Sequence, residues 1–245
     1  MNTQIIEQKY QALLARFGIR LRIISTGDPE QPRQQLTEDA GGFTLRLNPA
    51  KFIPGLSYES YVAYNARTVL LPRLVLETER LVLRRFHIED AVDCFGFLSD
   101  ADSAYWDCCK AFTAMDEEYS QRMEQFAERK SQYMIVLKET RTVIGTVNVF
   151  EDESRAVEAM EIGYSINPKY QRRGYAYEAL SALLTLLQKE LRLELVTAGT
   201  LPGNTPSIQL LHKLGFQSEG IRRKAVWHEG IDAPVDLQYF YSDMT

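Results

Sequence analysis

The sequence predicts an α+β fold built on a mixed sheet. Three observations carry that reading. Apolar residues recur partly in short alternating runs and partly in longer runs of helical period. The two kinds follow one another irregularly, as strand, helices, three strands, helix, strand, helix and closing strands, rather than in strict alternation. Hydrophobic residues make up 45% and charged residues 25% of 245 positions, the balance of a globular chain long enough for one ordinary domain and a small companion.

In order, residues 4 to 17 read as a helix, with Ile5, Ile6, Tyr10, Leu13, Leu14 and Phe17 near helical period and Gly18 as a stop. Ile19 to Ile24 alternates like a half-buried strand. Ser25 to Gly42, with its glycines and prolines, reads as a long loop or hairpin connection before the alternating Phe43 to Leu47. Ser57 to Arg67 is a short helix, followed by Val69-Leu70-Leu71, and Pro72 marks a boundary. Residues 1–73 are thus a small α/β N-terminal domain, and a unit of roughly 70 residues holds too little core to stand far from a partner surface. A cap over the rest or a homodimer contact is its expected role.

Beyond the boundary, Leu74, Leu76, Leu81 and Leu83 form an extended segment, and Ile88 to Leu98 and Asp116 to Arg129 are helices. Tyr133 to Leu137 and Val143 to Phe150 make a hairpin, and Glu158 to Ile166 is a third strand. Gly174 to Glu190 is a long helix, Leu193 to Ala198 a strand and Pro206 to Lys213 a helix. Ile221 to Trp227 and Val235 to Phe240 close the chain as an antiparallel pair.

Composition excludes several classes. A net charge of -5 argues against nucleic acid as the main partner, since neutralising phosphates takes clustered cations. No apolar run approaches the ~18 residues of a membrane span, and the N-terminus lacks a secretory pattern. Cys94, Cys108 and Cys109 form no disulfide framework or zinc spacing, and His87, His212 and His228 show no ligand spacing. A cytoplasmic protein with reduced thiols and no metal is expected.

The stretch richest in chemistry is Glu161-Ile-Gly-Tyr-Ser-Ile-Asn-Pro-Lys-Tyr-Gln-Arg-Arg-Gly-Tyr-Ala-Tyr-Glu-Ala-Leu180. A strand ends at Ile166, a proline turn follows, and Gln171-Arg172-Arg173-Gly174-Tyr175-Ala176 opens a helix. Unpaired N–H groups and the positive end of the helix dipole meet two arginines there, and Gly174 and Ala176 let a ligand approach the main chain. That suits a pyrophosphate. A tight turn with solvated arginines is the plainer alternative.

This segment resembles the acetyl-CoA-binding motif Gln/Arg-x-x-Gly-x-Gly/Ala of the GNAT acetyltransferases. Three further stretches resemble the family in its order: Leu76-Glu-Thr-Glu-Arg80-Leu-Val-Leu-Arg84, similar to the opening strand of the RimJ/RimL-like branch (the ribosomal-protein alanine acetyltransferases); Ile144-Gly145-Thr146-Val147; and Asn204-Thr-Pro-Ser207-Ile-Gln-Leu-Leu-His-Lys213-Leu-Gly215-Phe216. The resemblance covers about residues 74–245. It implies a GNAT fold, a mixed and mostly antiparallel central sheet flanked by helices whose fourth and fifth strands splay apart. It also implies an acetyl-CoA-dependent N-acetyltransferase acting by direct attack of a primary amine, on a protein N-terminus or a small molecule, upon the thioester.

Carried over position by position, the main chain at Ile166 would meet pantetheine. Gln171, Arg172, Arg173, Gly174, Tyr175 and Ala176 would hold the pyrophosphate, and Asn204 and Ser207 would lie near the thiol. Ser207 reads equally as a first-turn helix residue with no ligand. Glu161 is the implied base, directly or through water, its alternative being a structural carboxylate paired with an arginine. A backbone N–H near the splay would serve the oxyanion. The tyrosine acid of other branches is replaced by Leu211, which leaves the acid unassigned and keeps a second reading open, a non-catalytic acyl-CoA-binding module whose first 73 residues recruit a partner. Tyr105-Trp106-Asp107 is a candidate pocket wall, its alternative being satellite core, and Asp100, Asp102, Asp107, Asp116, Glu117 and Glu118 either favour a cationic acceptor or form a solvated acidic face.

Overall fold

The computed structural model describes residues 2–243. They form two compact units, one running to Leu74 and taking in Glu190–Arg192, the other holding Val75–Lys189 and the residues from Leu193 onward. In the first unit, helices α1 (Thr3–Ala15) and α2 (Tyr58–Leu70) accompany strands β1 (Leu21–Ser25), β2 (Gln34–Asp39) and β3 (Gly42–Leu47). Strand β3 is central, parallel to β1 and antiparallel to β2. Tyr10, Leu14, Leu45, Leu47, Val62 and Leu70 are fully buried and make its core. Strand β2 falls inside the stretch expected to be a loop or hairpin connection. Its sequence, Gln-Gln-Leu-Thr-Glu-Asp, has one apolar residue, so the ladder to β3 makes it a strand rather than its own pattern. Gly42 sits at φ 125 in the tight turn, where a Cβ would come within 2.6 Å of the Arg20 carbonyl oxygen.

The second unit is an eight-stranded sheet with helices. Its strands are β4 (Leu76–Glu77), β5 (Leu81–Arg84), β6 (Gln132–Leu137), β7 (Val143–Glu151), β8 (Ala159–Ile166), β9 (Leu195–Thr200), β10 (Gln217–His228) and β11 (Ala233–Asp243). Its helices are α3 (Ala91–Leu98), α4 (Ala101–Trp106), α5 (Glu117–Glu128), α6 (Tyr175–Leu184) and α7 (Thr205–Lys213). The strand order is β10-β11-β9-β8-β7-β6-β5-β4, and β8 with β9 is the parallel pair among antiparallel neighbours. Phe86, Cys94, Phe97, Met123, Phe126 and Met134 pack α3 and α5 onto the sheet. The helix expected at Ile88 to Leu98 begins as a 3-10 turn, Ile88–Asp90, and the helix expected to run to Glu190 changes to π-helical winding over Thr185–Glu190. All three cysteines are free.

The feature that positions the site is where the parallel ladder stops. Strands β8 and β9 pair at Ala159 with Leu195, Met160 with Val196 and Glu161 with Thr197, and no further. Beyond that point β8 continues to Ile166 held by β7, and β9 continues to Thr200 held by β11. The closed end of this gap is clamped. The Thr197 hydroxyl, on a fully buried residue, donates to the Asp152 carboxylate at 2.9 Å, and Arg155 bridges Asp152 to Glu219 with bonds of 3.1, 2.5 and 2.6 Å. Burial pushes Asp152 upward, but hydrogen bonds from Ser154, Arg155 and Thr197 outweigh it and hold the carboxyl down to about 2.

A folded-state pKa below the unfolded value contributes stability above about pH 4 that is lost as pH falls toward 2. Replacing Asp152 with Asn is therefore expected to destabilise the protein by about 2–4 kcal/mol at pH 7. Thermal melts of the two proteins should converge between about pH 4 and pH 2.

Candidate active site

The loop from β8 to α6 is shaped by local chemistry. Asn167, buried, accepts a hydrogen bond from the Lys169 N–H, and Pro168–Tyr170 makes one 3-10 turn. The Gln171 side chain folds back to donate to the Ile166 carbonyl at 2.9 Å. Arg172 and Gly174 both take left-handed backbone, at φ 62 and 83, and Gly174 caps α6 without a side chain. The N–H groups of the first turn of α6 therefore have no partner within the helix.

A brace 98 residues away in sequence holds this loop. Glu178, in the first turn of α6, accepts from the Thr78 hydroxyl at 2.6 Å, the Arg80 N–H at 2.8 Å and the Arg80 Nε at 2.6 Å. Arg80 in turn donates to the Arg173 carbonyl at 3.2 Å and lies over the Tyr175 ring. Burial raises the Glu178 carboxyl, but these donors outweigh it and hold it below its usual range. Nothing in the sequence signals the brace, because its partners belong to different motifs.

A cavity of about 640 Å³ opens at the α6 N-terminus and runs along the free edge of β8. Of the residues singled out from sequence, Gln171, Arg172, Gly174, Tyr175 and Ala176 line one side, and Ile166, Asn204 and Ser207 another. Arg173 and Glu161 are not part of the lining. Asn204 caps α7 by accepting from the Ser207 N–H at 3.2 Å, and the Ser207 hydroxyl shares a 2.8 Å hydrogen bond with the Tyr164 hydroxyl. Ser207 is thus both a first-turn helix residue and a cavity residue. Burial pushes the Tyr164 phenol up to about 12 against the pull of Ser207. Leu211 is fully buried, and the His212 ring packs against Phe240 with Nδ1 3.2 Å from the Phe216 carbonyl oxygen.

Glu161 lies on the same sheet face as Gly163 and Ser165, since alternate strand residues share a face. Its carboxylate accepts from the Tyr239 hydroxyl at 3.4 Å, and Arg222 lies over the Tyr239 ring at 3.9 Å. Burial and the charge of Asp152 raise its pKa, and Arg222 and Tyr239 offset part of that. Gly163 leaves open ground beside it, where an added Cβ would meet nothing nearer than Asn148 at 3.9 Å. Part of the cavity lining is acidic, Asp100, Asp102 and Asp107 with Trp106. Among the described residues no group of three or more His, Cys, Asp or Glu side chains is placed to hold a metal.

Comparison with known proteins identifies the family and the fold. The family profile described as "Acetyltransferase (GNAT) domain" matches residues 80–217, more than half of the chain. The uncharacterized N-acetyltransferase p20 of Bacillus licheniformis is 34% identical over 156 residues, 60% of this chain and 85% of that protein. The [ribosomal protein uS5]-alanine N-acetyltransferase of Escherichia coli is 27% identical over 173 residues, 65% of this chain and 87% of that one. Among solved structures, a GNAT-family acetyltransferase from Bacillus anthracis superposes with a TM-score of 0.60 at 26% identity, covering 69% of this chain and 98% of that chain.

Because Gly174 sits at φ 83, Gly174→Val places a β-branched residue in left-handed backbone. The expected cost is about 1–2 kcal/mol, read as a lower Tm of several degrees in calorimetry.

Proposed function

The chain belongs to the GNAT acetyltransferase family, and from that premise we propose how its cavity divides the labour of moving an acetyl group from acetyl-CoA to an amine. The protein is an acetyl-CoA-dependent N-acetyltransferase. What carries the residue-level reading is the position of one cavity, which joins a helix N-terminus to the free edge of a strand.

The residues present suit the cosubstrate. The nearest atom to a Cβ built on Gly174 is the Arg80 guanidinium at 3.5 Å, so bare backbone faces the cavity at the mouth of α6. We assign the main-chain N–H groups of Arg172 through Ala176 to the diphosphate, with Arg172 adding positive charge from the cavity wall, while Gln171, whose own N–H donates to the Pro168 carbonyl at 3.3 Å, shapes the loop. Arg173 contributes through its main chain, its side chain lying by Tyr170. In an antiparallel pair every second residue points its N–H and C=O away from the partner. Strand β8 past Glu161 therefore offers such groups toward the gap, and the main chain around Ile166 is assigned to the pantetheine arm.

Ser207, Tyr164 and Asn204 are placed at the thiol end in this reading. A phenol held near 12 stays protonated across the working range, so the Tyr164–Ser207 pair donates hydrogen bonds rather than accepting protons. It stabilises the sulphur as negative charge collects there. Glu161, on the open strip beside Gly163, acts through water to favour loss of a proton from the acceptor amine. An amine of the lysine type has a reference pKa of about 10.4, so this loss must precede attack.

Thiol release from acetyl-CoA, followed with a panel of alanine-terminated peptides and small amines, tests the proposal. Turnover is expected on at least one, with coenzyme A raising the Tm. Ser207→Ala and Glu161→Gln should each lower kcat by roughly tenfold or more while leaving the KM for acetyl-CoA nearly unchanged. No turnover on any acceptor, or a Tm indifferent to coenzyme A, would overturn it.

A further inference from the structure

One carboxylate on the cavity wall has no task in that scheme. Asp107 follows the last residue of α4, and the backbone fixes it there. The Cys108 N–H donates to the Tyr105 carbonyl at 3.1 Å and the Cys109 N–H to the Ala104 carbonyl at 2.8 Å, the paired bonds that end a helix in a Schellman turn. Cys108 takes the left-handed position at φ 56, where glycine is usual, and its carbonyl accepts from the Glu229 N–H at 2.9 Å. Asp107 is therefore held on a pinned helix end. Asp107 lines the cavity, and the Ser165 side chain on β8, one residue from Ile166 at the rim of the gap, pulls its pKa down.

We infer that Asp107 is the residue that receives the acceptor's amine and directly takes the proton lost before attack, Glu161 only favouring that loss from a distance through water. The inference rests on the acetyl-transfer reading above and extends it to the acceptor side. Charge supports it first. Among the described residues no cation pairs with Asp107, and the groups around it are mostly acidic or neutral. Asp100, which caps the Ser103 N–H, and Asp102 come from α4, Tyr164 from β8, and Cys108 and Cys109 follow in the chain, with Arg122 and Glu229 near Cys109. The cavity's cations, Arg172 and Lys213, come from the α6 and α7 side, where Lys213 lies over the Tyr177 ring. An amine entering as ammonium thus finds an unbalanced carboxylate.

Basicity supports it second. Although solvent reaches Asp107 through the cavity, the protein around it pushes its carboxyl up to about 6, against the pull of Ser165. It is ionised at neutral pH and still basic enough to hold a proton, the range in which a general base works best. The balance is simple. Of three protons on the ammonium nitrogen, one passes to a carboxylate oxygen of Asp107 and one stays on the amide. The lone pair forms the C–N bond, the thioester C–S bond breaks, and the third proton, shed by the tetrahedral adduct, ends on the departing sulphur.

The test is the pH dependence of kcat/KM from pH 5 to 9, using the best-accepted amine of a panel running from alanine-terminated peptides to alkyl diamines. Wild type should show a rise through about pH 6. Asp107→Asn should lose that limb and about 10²-fold in rate, while coenzyme A still raises its Tm. Asp107→Glu should keep a limb at reduced rate. Ser165→Ala, which removes the hydroxyl that lowers the Asp107 pKa, should move the limb to higher pH. A limb that survives in Asp107→Asn, or that ignores Ser165→Ala, overturns this inference alone. Absence of wild-type turnover on every amine removes the acetyl-transfer reading and this inference together.

Discussion

The architecture turns on a ladder that ends early. Two parallel strands share three residue pairs and then part company, each kept in place by its other neighbour. Unpaired backbone groups are costly away from water, about 1–3 kcal/mol each, so a gap of this kind persists when the strands are held from outside and something else satisfies the freed edge. The outside hold is visible in the long antiparallel registers to β7 and β11, and the point of parting is pinned by Thr197, Asp152 and Arg155. An extended chain of amides fits such an edge as an added strand does.

Charge is distributed along the cavity to match. The α6 N-terminus, Arg172 and Lys213 contribute positive charge to its wall, and Asp100, Asp102 and Asp107 contribute negative charge. In the proposed reading the first group draws a phosphate-rich cosubstrate and the second an acceptor arriving as a cation. Rigidity there is local: Glu178 and Arg80 brace one wall, and a helix-ending turn fixes the other.

What could be read from sequence and what could not divides along a physical line. Strands β6, β7 and β8 carry strong apolar alternation or continuous apolar runs, and the loop Gln171 to Ala176 combines a glycine, a small residue and cations at a helix start, so both were legible. Strand β2 was not, because its polar residues are extended only by pairing with β3. Helix α4 has six residues, too few to show a period. Asp107 was singled out with Tyr105 and Trp106 as a candidate pocket wall, but its fixed place at a helix end was not legible, since that depends on a cysteine occupying a left-handed position that glycine normally signals. The Arg80–Glu178 brace and the Asp152–Thr197 clamp join residues 98 and 45 positions apart, beyond the reach of any local pattern.

The central claim is that the unpaired edge of β8 is where the cosubstrate's extended arm lies. Amide hydrogen exchange of residues Ile162 to Ile166, measured with and without coenzyme A, tests it most directly. The account predicts exchange slowed at least several-fold in that segment on binding, together with the amides at the start of α6. Unchanged exchange along β8, with protection appearing only elsewhere, would contradict it.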